Sequence, residues 1–137
     1  MARDPDCLFC KIVAGELPAT VIAEDDHTVA FMDISPATRG HSLVVPREHA
    51  QDLLSIEAEE LAHVMHTAQK VAGRAMEVLG ADGVNVLNST GEAAWQTVFH
   101  FHVHVIPRYE DDPLSLPWVP EEGDLDEIRR VGEELRT

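Results

Sequence analysis

His100-Phe101-His102-Val103-His104-Val105-Ile106-Pro107-Arg108 alternates three histidines with apolar residues. On an extended chain every second side chain points the same way. The spacing therefore predicts a strand with His100, His102 and His104 on one face and Phe101, Val103 and Val105 buried on the other. No other stretch of the chain gathers as much nucleophilic, acid–base and metal-binding capacity. Three readings of the row compete: an exposed and inert face, a three-histidine metal site in which zinc activates water, and a nucleophile with its acid and orienting partners. Burying imidazoles requires partners for their nitrogens. The preceding loop ends in Gln96-Thr97, two hydrogen-bonding side chains at the start of the row, which weighs against inertness.

Working outward, residues 83–88 read as a strand ahead of that loop, and residues 56–79 as one long helix. Leu61, Val64, Met65, Ala68, Val71, Ala72, Ala75, Val78 and Leu79 form its apolar stripe. Glu57, Glu59 and Glu60 suit the positive end of the helix dipole, and Gly80 closes it. Upstream, residues 20–24 and 28–33 read as a hairpin turned by Asp25-Asp26-His27, and residues 41–46 as a third strand. A short helical turn over residues 6–15 opens the chain, and a last short helix spans about 124–135. The expected fold is α+β: a five-stranded antiparallel sheet with one long helix and short terminal helices.

The totals narrow the functional classes. The 137 residues suit a single domain spanning 1–137. The net charge of -15 argues against long nucleic acid, whose phosphates such a surface repels. No apolar run is long enough to cross a bilayer and the start lacks a secretory pattern, so no membrane partner and a cytoplasmic location are expected. Residues 109–137 read as an acidic C-terminal extension that favours solubility. The two cysteines, Cys7 and Cys10, cannot found a disulfide scaffold. A redox pair would want a strand before them and a long helix after. A zinc site needs two further ligands, for which His49 and His100 are candidates.

The row resembles the His-x-His-x-His-x-x signature of the histidine-triad superfamily of nucleotide hydrolases and transferases. Gly91-Glu92-Ala93-Ala94-Trp95-Gln96-Thr97-Val98 is similar to that family's loop before the triad. Phe31-Met32-Asp33-Ile34-Ser35-Pro36 with Gly40-His41-Ser42-Leu43-Val44-Val45-Pro46-Arg47-Glu48-His49 is similar to its upstream half. The likeness runs over about residues 6–108, nearest to the Hint-like bacterial branch with a Cys-x-x-Cys zinc site.

The resemblance implies a homodimer that releases AMP or GMP from phosphoramidates and related purine nucleotide conjugates. His102 corresponds to the nucleophile, which forms a nucleotidyl-histidine intermediate. His104 corresponds to the group that protonates the leaving group, a task suited to a pKa near neutrality. Gln96, Thr97 and the amide of Val98 match phosphate contacts. Asp33 matches the carboxylate on the ribose hydroxyls, and Leu8, Phe9, Ile12, Phe31 and Ile34 match the base pocket. Asn88 matches a substrate-side position, and His41 a fourth histidine near the triad, for which a hydrogen-bonded role behind the site stands beside a direct one. Cys7, Cys10, His49 and His100 match a structural zinc set in a subset of bacterial members. Zinc there would take His100 out of catalysis. Trp95 departs from the family, where glycine is common, and bears on the leaving-group side. A dinucleoside polyphosphate hydrolase, a nucleotidyl transferase, and a nucleotide-binding module without catalysis remain as rivals.

Overall fold

The computed structural model describes residues 3–137. Its elements run α1 (Leu8–Val13), β1 (Val21–Glu24), β2 (Thr28–Met32), β3 (Ser42–Pro46), α2 (Ala58–Leu79), β4 (Gly83–Leu87), a 3-10 turn (Glu92–Ala94), β5 (Val103–Arg108) and α3 (Leu125–Leu135). The strands make one antiparallel sheet in the order β1-β2-β3-β5-β4, the α+β architecture expected from the sequence.

The β1–β2 hairpin is tied by one side chain. Asp25 Oδ1 accepts hydrogen bonds from the backbone N–H groups of His27 and Thr28 and from the Thr28 hydroxyl. The Thr28 hydroxyl in turn meets that of Thr67 at 2.7 Å, a buried link from β2 to α2. The centre of the expected stripe on α2 is buried, with Val64, Ala68 and Val71 packed on Ala30, Val44, Phe101, Val103 and Val105, whereas Met65 and Val78 at its margins are exposed. The other sheet face carries a second cluster, Phe9, Val29, Phe31, Leu43 and Val45, with Cys7, Ile12 and Val98 against it. α1 is thus fastened to the sheet on the face opposite α2.

The histidine row departs from the expected strand in one respect: its ladder begins at Val103, so His100 and His102 precede it. Their backbone groups are committed elsewhere. The Phe101 N–H donates to the Ala50 carbonyl at 2.7 Å, and the His100 and His102 carbonyls accept side-chain bonds. The alternation survives without the ladder, because Phe101, Val103 and Val105 all lie under α2. Leu43 of β3 pairs with His104, which places that histidine on the face away from α2.

Gly40 sits at the turn into β3 with φ +92, and a Cβ there would overlap Leu79 Cδ1 and come within 3.2 Å of Pro107 Cγ. The positive φ is what favours glycine here, and the overlap with the end of the Leu79 side chain adds to it. At the far end of β5, Arg108 forms a bidentate pair with Asp112, Nε to Oδ2 at 2.8 Å and the guanidinium's second nitrogen to Oδ1 at 2.9 Å. That guanidinium holds the Asp112 carboxyl well below the usual carboxylate range. Beyond it residues 113–137 are largely exposed, α3 included. Among the described residues, no helix is long and apolar enough to cross a membrane.

Candidate functional site

The three histidines of the row face different partners, and the hydrogen bonds fix which nitrogen of each is free. His102 Nδ1 lies 2.8 Å from the His100 carbonyl. A carbonyl only accepts, so Nδ1 carries the proton and the Nε2 lone pair is left available. The ring is 6% exposed, wedged edge-on against Phe9 with centroids 5.0 Å apart. Burial pushes its pKa down, while the His100 carbonyl and Asp33 act the other way. An unprotonated imidazole nitrogen in a partly dry setting is equipped to attack an electrophilic centre.

His104 is organised by His41. The Ala37 N–H donates to His41 Nδ1 at 2.9 Å, so neutral His41 carries its proton on Nε2. That Nε2 is 2.9 Å from His104 Nδ1, which must then accept. His104 is left with its proton on Nε2. Burial first, then the neighbouring imidazoles of His102 and His41, push its pKa down to about 4. Burial also lowers His41, against the pull of Asp33, whose Oδ2 lies 3.5 Å from His41 Nε2. The other Asp33 oxygen accepts the Ser35 N–H at 2.8 Å.

His100 turns the other way. Its Nε2–H donates to the Pro46 carbonyl at 2.9 Å, which leaves the Nδ1 lone pair facing Cys7 Sγ at 3.3 Å, Cys10 Sγ at 3.5 Å and His49 Nδ1 at 3.2 Å. Cys10 Sγ is 3.4 Å from His49 Nδ1. These four ligand atoms could hold a metal ion, lying within 4.8 Å of one another. Tetrahedral coordination with bonds of about 2.0–2.3 Å sets ligand atoms roughly 3.3–3.8 Å apart, so the set fits such an ion. The chemistry agrees with the spacing. Burial drives His100 down to about 4, keeping its nitrogen unprotonated, and two imidazole nitrogens pointed at each other gain most from a cation between them. Burial raises the Cys10 thiol, a tendency that a bound divalent ion reverses. His100, His102 and His104 do not converge on one such cluster among the described residues, so the row is not a three-histidine metal site.

The remaining expected residues divide. Phe9, Phe31, Ile12 and Val98 share the cluster beside His102. Leu8 is 47% exposed and Ile34 96% exposed, so these two side chains are open to solvent. Gln96 is buried and fully engaged in its loop: its oxygen accepts the Gly91 N–H, and its amide donates to the Gln51 and Val98 carbonyls. It shapes the loop, while Thr97 beside it is exposed. Asn88 donates to the His102 carbonyl at 2.9 Å, a support for the row's backbone. Trp95 closes the 3-10 turn at φ +74, with its indole 71% exposed. The Ala37 and Pro46 backbone groups escaped the sequence reading, because nothing in a side-chain pattern marks a backbone atom as the partner of a distant ring.

A family model described as HIT domain matches residues 14–111. The chain is 37% identical over 130 residues to adenosine 5'-monophosphoramidase hnt1 of Schizosaccharomyces pombe, covering 94% of this chain and 95% of that protein. Among solved structures, SMU.412c from Streptococcus mutans UA159 superposes with a TM-score of 0.93 at 40% identity, covering 98% of this chain and 85% of that one. A Zn-bound histidine triad family protein from Mycobacterium smegmatis superposes with a TM-score of 0.78 at 44% identity, covering 85% and 84%.

Proposed function

The chain belongs to the HIT domain family, and on that premise we propose that it hydrolyses purine nucleotide conjugates of the adenosine phosphoramidate type, releasing AMP or GMP through a nucleotidyl-histidine intermediate. The observation that carries this reading is the His102–His100 hydrogen bond, which leaves His102 Nε2 free to attack. The relative named as an adenosine 5'-monophosphoramidase supports the substrate class.

In the proposed first step His102 Nε2 bonds to the α-phosphorus, and the bond from phosphorus to the leaving nitrogen breaks with its electron pair on nitrogen. His104 presents Nε2–H to that nitrogen. Held neutral chiefly by burial and fixed in tautomer by His41, it serves as a hydrogen-bond donor to the charge that builds there, and the amine leaves with a proton drawn from solvent. This differs from a stored proton near neutrality, the task the resemblance implied for His104. In the second step water attacks phosphorus, the phosphorus–nitrogen bond to His102 breaks, its electrons return to Nε2, and the water's proton passes to solvent. Thr97, the Val98 amide and Gln96's loop border the phosphate; Asp33 takes the ribose hydroxyls; Phe9, Phe31, Ile12, Leu8 and Ile34 border the base. Asn88, on the substrate side, steadies the row by donating to the His102 carbonyl.

Zinc is the proposed ion for Cys7, Cys10, His49 and His100, and the Zn-bound relative supports it. When bound, zinc supplies a structural cross-link between α1 and the row. The chain is proposed to act as a cytoplasmic homodimer of single-domain subunits, with α2 contributing to the contact.

The test is turnover of adenosine phosphoramidate by the purified protein. Wild type releases AMP, and His102→Asn loses release by at least about 10³-fold while AMP binding is kept. Equal turnover by both removes His102 as nucleophile; binding without turnover by both makes the protein a nucleotide-binding module.

A further inference from the structure

α3 is a helix built to be covered that covers nothing. Leu125, Ile128, Val131 and Leu135 are all exposed. At 100° per residue they fall within one 120° arc, a continuous apolar stripe about 15 Å long. Glu127 and Glu134 run along one margin of that stripe. Asp124 caps the helix, its Oδ1 accepting the Asp126 and Glu127 N–H groups, so the helix is well formed without a neighbour. An exposed apolar stripe on so acidic a segment gains nothing for solubility, which the acids already supply.

A matching seat lies elsewhere on the same chain. A groove of about 480 Å³ runs between the C-terminal half of α2 and the β1–β2–β3 side of the sheet. Met32, Val71 and Val78 contribute to its apolar floor, and Arg39, Lys70 and Arg74 to its rim. It opens on the α2 face of the sheet, because Met32 and Ser42 share that face with Ala30 and Val44, whereas His104 looks out from the other. Residues 70–79 of α2, which wall it, extend about 14 Å, the length of the α3 stripe. The rim holds three of the chain's ten Lys and Arg residues, in a molecule of net charge -15.

We propose that α3 of one copy seats in this groove of a second copy, its apolar stripe on the floor and the Glu127–Glu134 margin against Lys70 and Arg74. Length and apolarity agree between the two surfaces, and charge agrees along the Glu127–Glu134 margin; Arg129 and Arg136 on the opposite margin are already paired with Asp126 and Glu133 of their own helix. The occupant is a second copy because α3 stands clear of its own groove while fully folded. Two copies that repel through their net charge gain from a contact that joins the acidic tail of each to a cationic rim of the other. The inference rests on the homodimer reading only in requiring two copies; it is independent of the catalytic one.

The experiment replaces Ile128 with a photo-crosslinking p-benzoylphenylalanine and mixes equal amounts of isotopically light and heavy full-length chains, equilibrated before irradiation. Mass spectrometry is expected to find cross-links from position 128 to peptides bearing Met32 or residues 70–79, about half of them light-to-heavy. Cross-links confined to light-light and heavy-heavy pairs overturn the exchange, showing that α3 reaches its own groove; cross-links to other surfaces, or none, overturn the seat. A paired Lys70→Glu, Arg74→Glu variant is expected to raise the dimer dissociation constant about tenfold by sedimentation, with its far-ultraviolet circular dichroism unchanged, and an added Glu127→Lys, Glu134→Lys pair to restore it. An unchanged constant overturns the charge match. A wild-type dimer without groove cross-links leaves the homodimer standing and removes only the seat; a wild-type monomer removes both.

Discussion

His41 Nε2 lies 2.9 Å from His104 Nδ1, and the space between them holds one proton. Because the Ala37 N–H occupies the other His41 nitrogen, that proton belongs to His41, and His104 is obliged to offer Nε2–H outward. Glutamine can present a comparable N–H, and alanine cannot. His104→Gln is therefore expected to keep kcat within about tenfold of wild type, whereas His104→Ala loses about 10²-fold, as for removal of one preorganised donor. The measurement is steady-state release of AMP from the phosphoramidate. Equal losses in the two variants would return His104 to the role of proton carrier.

The same pair gives a pH dependence with a definite sign. His104 titrates at about 4 in the fold against 6.5 ordinarily. As pH falls, the unfolded chain takes up this proton first, so the contribution of the site to stability is whole above about 6.5 and is lost between 6.5 and 4. Urea midpoints at pH 7 and pH 5 are expected to fall less on acidification for His104→Gln than for wild type. A larger fall in the variant contradicts the assignment.

Metal should be structural. About one zinc per chain is expected by elemental analysis, in keeping with a four-ligand set. Cys10→Ser should abolish it and lower Tm by about 10 °C, the effect of an ion held at roughly a thousand times its dissociation constant. His102→Asn, which changes no ligand, should retain the metal. Chelation that stops turnover while leaving Tm unchanged would identify the ion as catalytic.

Gly40→Ala should be costly despite its small change in volume. The new methyl meets Leu79 Cδ1 and the backbone keeps φ +92, together about 2–4 kcal/mol by chemical denaturation. Adding Leu79→Ala should relieve the overlap without restoring full stability, since the strained φ remains and a cavity replaces the leucine. Full restoration would show that the backbone angle carries no strain.

Much of this molecule was legible in its residues. Alternation marked β5, which is buried at every second residue, and a period of 3.6 marked α2; β1 to β4 were legible from β-branched runs bounded by turn residues, since their burial does not alternate. The Cys-x-x-Cys pair with His49 and His100 was legible through family likeness, and the four ligand atoms do converge. The strand onset at Val103 was hidden, because His100 and His102 keep the alternation of a strand while their carbonyls serve side chains. Ile34 illustrates a second blind spot: nothing in an isoleucine between Asp33 and Ser35 tells that its side chain stands almost wholly in solvent. A nucleophilic His102 calls for a backbone carbonyl on its other ring nitrogen, and the His100 carbonyl is there; the tautomers of His41 and His100 lay beyond reach, since the Ala37 N–H and the Pro46 carbonyl that settle them carry no sequence signal. Trp95 was marked as unusual by its type; that it occupies a left-handed conformation could be learned only from the backbone.

His100 answers to two masters. Its ring faces the thiols, and its carbonyl, one peptide unit along, orients His102. Any shift of that residue therefore moves an anchor and a trigger at once. Drift at position 100 is constrained twice over: a replacement must serve the cysteine cluster with its side chain while holding its backbone still for a neighbour. Tolerance should be lowest here, lower than at His49, whose backbone has no such second duty among the described hydrogen bonds.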